Sequence, residues 1–304
     1  MNGIVVKSTG SWIRVKGEEG AYVDCKLKGI FRFKGIRTTN PVAIGDRVVY
    51  EITSGQTGAL ITKIKERENY IIRKATKLSK TAHIIAANID HAYLIVTLAY
   101  PKTSTGFIDR FLVTATGYFI PVSLVFNKID LYNEDLEQTE KELKEIYNKA
   151  GYPCYSVSAL RGDHIPELKE KMKRKINLFA GYSGAGKSAI IMAIEPSLKL
   201  KTATISEIHL KGRHTTTFTE MLELTGGGYI IDTPGIKEFG LIDFEKTEIH
   251  RCFPEMDRLL PQCQYKNCTH IHEPGCAVKE ALKSGEVSEM RYYNYLSILN
   301  ELDQ

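Results

Sequence analysis

At 304 residues, with 43% hydrophobic and 25% charged side chains, the chain can bury more than one core and has the balance of an ordinary globular protein. No uninterrupted apolar run is long enough to cross a bilayer, and MNGIVVKSTGSW lacks the charged, apolar and small-residue succession of a secretory signal. A cytoplasmic monomer with no membrane partner is expected. The formal charge of +5 is unevenly placed: residues 1–70 carry twelve Lys and Arg against seven Asp and Glu, an excess equal to that of the whole chain. That balance points the N-terminal segment at an anionic partner such as RNA.

Residues 1–70 alternate apolar and polar in short runs, GIVVKS, WIRVK, AYVDCKL, DRVVYEI and ALITKI, separated by Gly, Asn-Pro and Ser-Gly. The pattern predicts a small antiparallel β-barrel of OB type, with other small barrels fitting nearly as well. Within it, CKLKGIFRFKGIR (25–37) interleaves basic residues with Phe31 and Phe33. These form either a stacking platform for RNA or a core-facing pair with solvated charges around it.

Residues 71–240 read as a doubly wound α/β domain. HAYLIVTLA and VSLVFNKID are compact apolar runs, and IDRFLVTATGYF between them has helical spacing. EDLEQTEKELKEIYNKAG is an amphipathic helix ending at Gly151, followed by the strand CYSVSA, a helix around PELKEKMKRK and the strand INLFA. Further on, TTFTEMLELTGGGYIIDTPG reads as two strands joined by a Gly-rich turn. Residues 241–304 are helical and Cys/His-bearing, and the last helix places Met290, Tyr293, Leu296 and Leu299 along one face.

INLFA runs into Gly181-Tyr182-Ser183-Gly184-Ala185-Gly186-Lys187-Ser188, a glycine loop between a strand and a helix. Glycines let backbone N–H groups wrap phosphate oxygens; Lys187 would neutralise the β- and γ-phosphates and Ser188 would ligate Mg²⁺. Read blandly, the stretch is a turn that caps a helix. Asp232-Thr-Pro-Gly235 closes the strand YIID, which puts a carboxylate near the phosphates, where it can hold Mg²⁺ through water. Asn127-Lys128-Ile129-Asp130 ends VSLVF. Asp130 can accept two hydrogen bonds from the N1 and N2 donors of guanine, Asn127 can bond the opposite edge, and Lys128 can pack its stem over the ring. Ser158 and Ala159 would complete the pocket through backbone N–H groups. This set favours GTP over ATP.

The order of these motifs is unusual. The guanine reader precedes the phosphate loop, which is followed by Gly212-Arg-His214-Thr-Thr216-Thr217 and then by Asp232–Gly235. That is the usual cycle entered at another point, a rearrangement a sheet domain with neighbouring termini tolerates. Thr216 and Thr217 are both candidates to complete the Mg²⁺ shell.

GRHTTT, DTPG followed by IKEFGL, the permuted order and the tail CQYKNCTHIHEPGCAV together resemble the RsgA (YjeQ/YloQ) family over nearly the whole chain. The resemblance implies a circularly permuted P-loop GTPase domain, an N-terminal OB-type barrel and a C-terminal helical zinc-binding domain. It also implies GTP hydrolysis in late maturation of the small ribosomal subunit, stimulated by that subunit and its rRNA. Tyr182, Ala185 and Ala189 depart from the family's more frequent Gln, Val and Ser. The alternative is a GTP-gated rRNA-binding switch in which hydrolysis is incidental.

In the tail, Cys263-x4-Cys268-x-His270-x5-Cys276 offers three thiolates and an imidazole, enough for one tetrahedral zinc per chain. His272 and Cys252 are rival ligands on spacing, and the family pattern matches His270. Ile236, directly after the glycine of the Asp-x-x-Gly motif, cannot orient a water, whereas many GTPases carry Gln there. His214, in the Thr-rich segment, is the candidate catalytic residue beside Lys187, and the resemblance points to the same histidine.

Overall fold

Alternating burial builds the first strands, as in β2 (Ile13–Gly17), where Ile13 and Val15 turn inward while Arg14 turns out to pair with Asp24 of β3. The computed structural model describes residues 1–9, 12–27, 41–52, 58–74, 82–198, 220–233 and 244–302. Phe31 and Phe33, His214, Thr216 and Thr217, and Gly235 and Ile236, all singled out in the sequence, lie outside them. β1 (Asn2–Ser8), β2, β3 (Tyr22–Leu27), β4 (Arg47–Ile52) and β5 (Ala59–Ile64) run in the order β1-β2-β3-β5-β4, and β4 closes back onto β1. With β3 and β5 parallel, this is the expected OB-type barrel. Val5, Ile13, Val15, Cys25, Val48, Tyr50 and Ile61 fill it. Asp46, fully buried, is clasped by both arms of Arg67 at 2.7 and 2.8 Å.

A hairpin that the sequence pattern does not announce follows, β6 (Tyr70–Lys74) with β7 (Ala82–Ala87). Its Ile71, Ile85 and Ala86 join the core of the next domain rather than that of the barrel.

In that domain β8 (His91–Val96), β9 (Val122–Asn127), β10 (Cys154–Val157), β11 (Ile176–Gly181) and β13 (Tyr229–Asp232) lie parallel in the order β10-β9-β8-β11-β13, with β12 (Glu220–Glu223) antiparallel on β13. β9 and β11 are buried at every residue, as strands covered on both faces must be. The helices α1 (Thr105–Gly117) and α2 (Glu134–Ala150) pack on one face through Phe107, Phe111 and Tyr147. On the other, α3 (Ile165–Met172) and α4 (Lys187–Ile194) contribute Leu168, Met172 and Ile190. β12 also pairs with β1, so barrel and domain share one 11-stranded sheet.

Past Phe244 come a 3-10 turn (Lys246–Cys252) and the helices α5 (Pro254–Leu259), α6 (Ala277–Lys283) and α7 (Glu289–Glu301). The buried face of α7 is Arg291, Tyr292, Tyr295, Ile298 and Leu299, not the stripe through Met290, Tyr293 and Leu296, and Tyr293 is 63% exposed. The reason is a buried charge. Arg291, 1% exposed, donates to Glu255 at 2.7 and 2.9 Å and to Asp109 of α1 at 2.6 Å.

Candidate functional site

The parallel strands all end at one edge of the sheet, and the loops read as nucleotide-binding leave from that edge. β9 ends at Asn127, which is 1% exposed. Its amide donates to the Ala185 carbonyl at 2.9 Å, and its oxygen accepts from the Ala159 N–H at 3.2 Å. Asn127, expected as a base contact, also braces the guanine reader, Ser-Ala loop and phosphate loop against one another, because both ends of a buried amide must find partners. Lys128 adopts φ 68° and donates through Nζ to the Tyr100 carbonyl. Asp130 accepts from the Ser158 hydroxyl at 2.5 Å, and Arg161 bonds the Asp130 carbonyl and the Ser158 hydroxyl. The reader and the Ser-Ala loop thus hold each other in place.

Two glycines in the phosphate loop are sterically required. A Cβ on Gly186 would lie 2.3 Å from Asn127 Nδ2 and one on Gly181 2.6 Å from the Ile95 carbonyl, and both residues have positive φ. Ala185 is buried, while Ser183, Gly184 and Ser188 face outward. α4 begins at Lys187, so its unbonded N–H groups face the loop, a favourable end for anions. Lys187 is 8% exposed, and its ammonium rests on the Gly181 and Tyr182 carbonyls at 2.8 and 3.0 Å. Burial lowers its pKa, opposed by Asp232.

Asp232 ends β13, with Oδ1 buried and without a hydrogen-bond partner among the described residues. Burial raises its carboxyl to about 6, against the pull of Lys187. An orphaned carboxylate oxygen facing a buried ammonium suits a hard cation with phosphate oxygens, so these residues fit Mg²⁺ and a nucleotide. Tyr182 stacks on Phe107 of α1, ring centroids 4.1 Å apart, a contact that sequence spacing does not reveal.

A second constellation lies in the C-terminal region. The ligand atoms of Cys263, Cys268, His270 and Cys276 all fall within 4.8 Å of one another. His270 Nδ1 is 3.3 Å from Cys276 Sγ and 3.7 Å from Cys263 Sγ, and none of the three cysteines is in a disulfide. Convergent thiols and an imidazole fit a tetrahedral metal ion, and burial pushes the Cys268 thiol up to about 12, a cost that a bound cation would remove. His272 is exposed and Cys252 stands apart from the group, so neither rival ligand belongs to it.

Glu273 organises the turn, accepting from the N–H groups of Thr269, Ile271 and His272 and from the Thr269 hydroxyl. Burial works to raise its carboxyl, yet these bonds hold it down at about 2. The hydroxyls of Tyr292 and Tyr295 tie the turn to α7 through the carbonyls of His270 and Thr269.

A phosphate loop and a guanine reader at one edge of a parallel sheet, reached in permuted chain order, define a circularly permuted P-loop GTPase. The RsgA GTPase family model matches residues 64–242, and the RsgA N-terminal domain model matches residues 2–60. The chain is 53% identical to the small ribosomal subunit biogenesis GTPase RsgA 2 of Bacteroides thetaiotaomicron, over 100% of this chain and 98% of that one. Among solved structures it resembles YjeQ from Thermotoga maritima, with TM-score 0.80, 37% identity and coverage of 99% and 98% of the two chains. It also resembles YloQ, a circularly permuted GTPase, with TM-score 0.77, 30% identity and coverage of 99% and 94%. This chain belongs to the RsgA GTPase family.

Proposed function

We propose that the chain hydrolyses GTP in the maturation of the small ribosomal subunit, that contact with the subunit and its rRNA stimulates turnover, and that it works as a cytoplasmic monomer. The convergence of Asn127, Ala159, Ala185, Lys187 and Asp232 on one edge is the observation that carries this reading. Asp130 reads the N1 and N2 donors of guanine, with Ser158 holding its carboxylate in place. Lys187 turns from the Gly181 and Tyr182 carbonyls to the β- and γ-phosphates, whose charge offsets its burial. Ser188 and either Thr216 or Thr217 would ligate the Mg²⁺ that accompanies the nucleotide, Asp232 would hold it through water, and the ion would supply neutralisation of developing phosphate charge. His214 accepts a hydrogen bond from the water that attacks the γ-phosphorus.

Zinc is the metal we assign to Cys263, Cys268, His270 and Cys276, as a structural ion. Residues 1–70, 71–240 and 241–304 act as the barrel, the GTPase domain and the metal-bearing domain.

The test is GTP turnover with and without purified small subunits, for wild type and His214→Ala. Wild type is expected to be slow alone and strongly stimulated, and the variant to lose about 10²–10⁴-fold of the stimulated rate at near-normal GTP affinity. Tight subunit binding without stimulated turnover would replace this reading with that of a GTP-gated RNA-binding switch. Equal stimulated rates would move the water-orienting role from His214 to a ribosomal group.

A further inference from the structure

We propose that α1 couples the metal-bearing domain to the phosphate loop, with Phe107, Asp109 and Arg291 as positioning residues for the nucleotide. The proposal rests on the reading of residues 181–188 as the phosphate loop.

The contacts are continuous. The His270 carbonyl, inside the cysteine cluster, accepts from the Tyr292 hydroxyl at 2.7 Å. From the same helix, Arg291 and Asn294 each donate to Asp109 at 2.6 Å. Asp109 is fully buried on α1, and two residues earlier, on the opposite side of the helix, Phe107 stacks on Tyr182 of the loop. Tyr182 also offers one of the carbonyls that hold Lys187.

No apolar packing would require this arrangement. A buried Arg shared by Asp109 and Glu255 fixes the angle of α7 against α1 far more narrowly than Leu or Met would. Arg110 adds an outer bond to Glu301 along the same seam. A shift of the cysteine cluster therefore moves α7, α7 pulls on Asp109 of α1 through Arg291 and Asn294, and α1 moves Phe107 against the loop that must close on phosphate. Coupling through such packed and hydrogen-bonded elements changes affinity at the far site by a few-fold to tens of fold.

The experiment is a double-mutant cycle on the full-length, metal-loaded protein, read as the Kd for fluorescently labelled GDP with Mg²⁺, with metal content checked for every variant. Asn294→Ala and Phe107→Leu are each expected to weaken binding roughly three- to tenfold. The double variant should be no more than about twofold worse than the weaker single, because both cut one chain of contacts. Phe107→Tyr, which keeps the ring, should bind as wild type.

Effects that multiply, or an unchanged Kd in either single variant, overturn the coupling. Should Phe107→Leu fail to fold, Asn294→Ala still decides, since wild-type affinity there breaks the proposed chain. If wild type does not bind the labelled GDP, the GTPase reading itself falls. Binding with multiplicative variants sinks only the coupling.

Discussion

The nucleotide edge and the cysteine-bearing region become rigid by different means. Around the phosphate loop the backbone is held by strands buried along their length, and Asn127 and Ser158 knit the loops together from within. In residues 244–302 there is no strand, and α5 and α6 have only six and seven residues, too short to be stable alone. Order there comes from an apolar core around Phe253 and Tyr295 pinned by polar side chains: Arg291 between Asp109 and Glu255, Glu273 inside its turn, and the Cys₃His group. Where strands carry the geometry, losing one side chain costs binding. Where polar side chains and a Cys₃His group fit for a metal carry it, the same loss is expected to cost the fold.

The strongest way to break that comparison is to strip the metal. Structural zinc contributes on the order of 10 kcal/mol to small domains that bind it. Chelation should unfold residues from about 250 onward before the GTPase domain, as read by limited proteolysis and amide exchange alongside elemental analysis. Finding no metal, with all cysteines of the native protein freely modifiable, would remove the Cys₃His site from the account.

Next in size is Asp109→Ala. Burial works against the charge on Arg291, while Asp109 and Glu255 together more than offset it. Deleting a partner of a buried ion pair costs about 3–5 kcal/mol. Denaturant unfolding followed by intrinsic fluorescence should show the C-terminal region melting early. An unshifted transition would mean that the apolar core around Phe253 and Tyr295 holds the region unaided.

On the nucleotide side, Asp130→Asn should leave stability intact and weaken GTP by roughly 1–3 kcal/mol, because an amide cannot accept both base donors. Competition with GTP and ATP measures it, and an unchanged preference for guanine would displace Asp130 from the base.

The smallest effect is a pH dependence. Asp232, raised by burial to about 6, becomes protonated in the nucleotide-free protein as pH falls through that value, and the proton then competes with the cation that accompanies the nucleotide. Mg²⁺-dependent GDP affinity should hold between pH 7 and pH 8 and weaken as pH drops to 5. In Asp232→Asn it should be lower at neutral pH and flat across the range. A wild-type profile that is flat to pH 5 would detach Asp232 from the site.

What the sequence makes legible follows the reach of the interaction. The barrel strands, the phosphate loop and the Cys₃His spacing are short-range patterns, in which a few neighbouring residues carry the whole geometry. The permuted order is equally plain, because motif succession survives without any knowledge of packing.

Long-range pairings are not legible. Periodicity counts Arg291 as outward-facing, and only Asp109, 182 residues away, makes it an inward residue. That one charge turns the buried face of α7 away from Tyr293. The hairpin β6–β7 escapes for a different reason: YIIRK and AHIIAA are joined by no Asn-Gly or Gly-rich signal. Asn127 shows the limit at the site itself. Its motif predicts a contact with ligand, and its bonds to Ala185 and Ala159 add a bracing role that the motif does not announce.

The pairing of β1 with β12 bears on the order of events during synthesis. Lys7 meets Glu220 across 213 residues of chain, whereas the barrel's own strands are complete by Ile64. Closing so long a loop is entropically costly and late, while the local strand pairs form early. The barrel strands are therefore expected to pair, and to meet Ala86 and Asn88 through Ile44 and Gly45, before β12 adds its edge to β1. That seam, the longest in sequence separation of the described strand pairings, is expected to be the last of the barrel's edges to form.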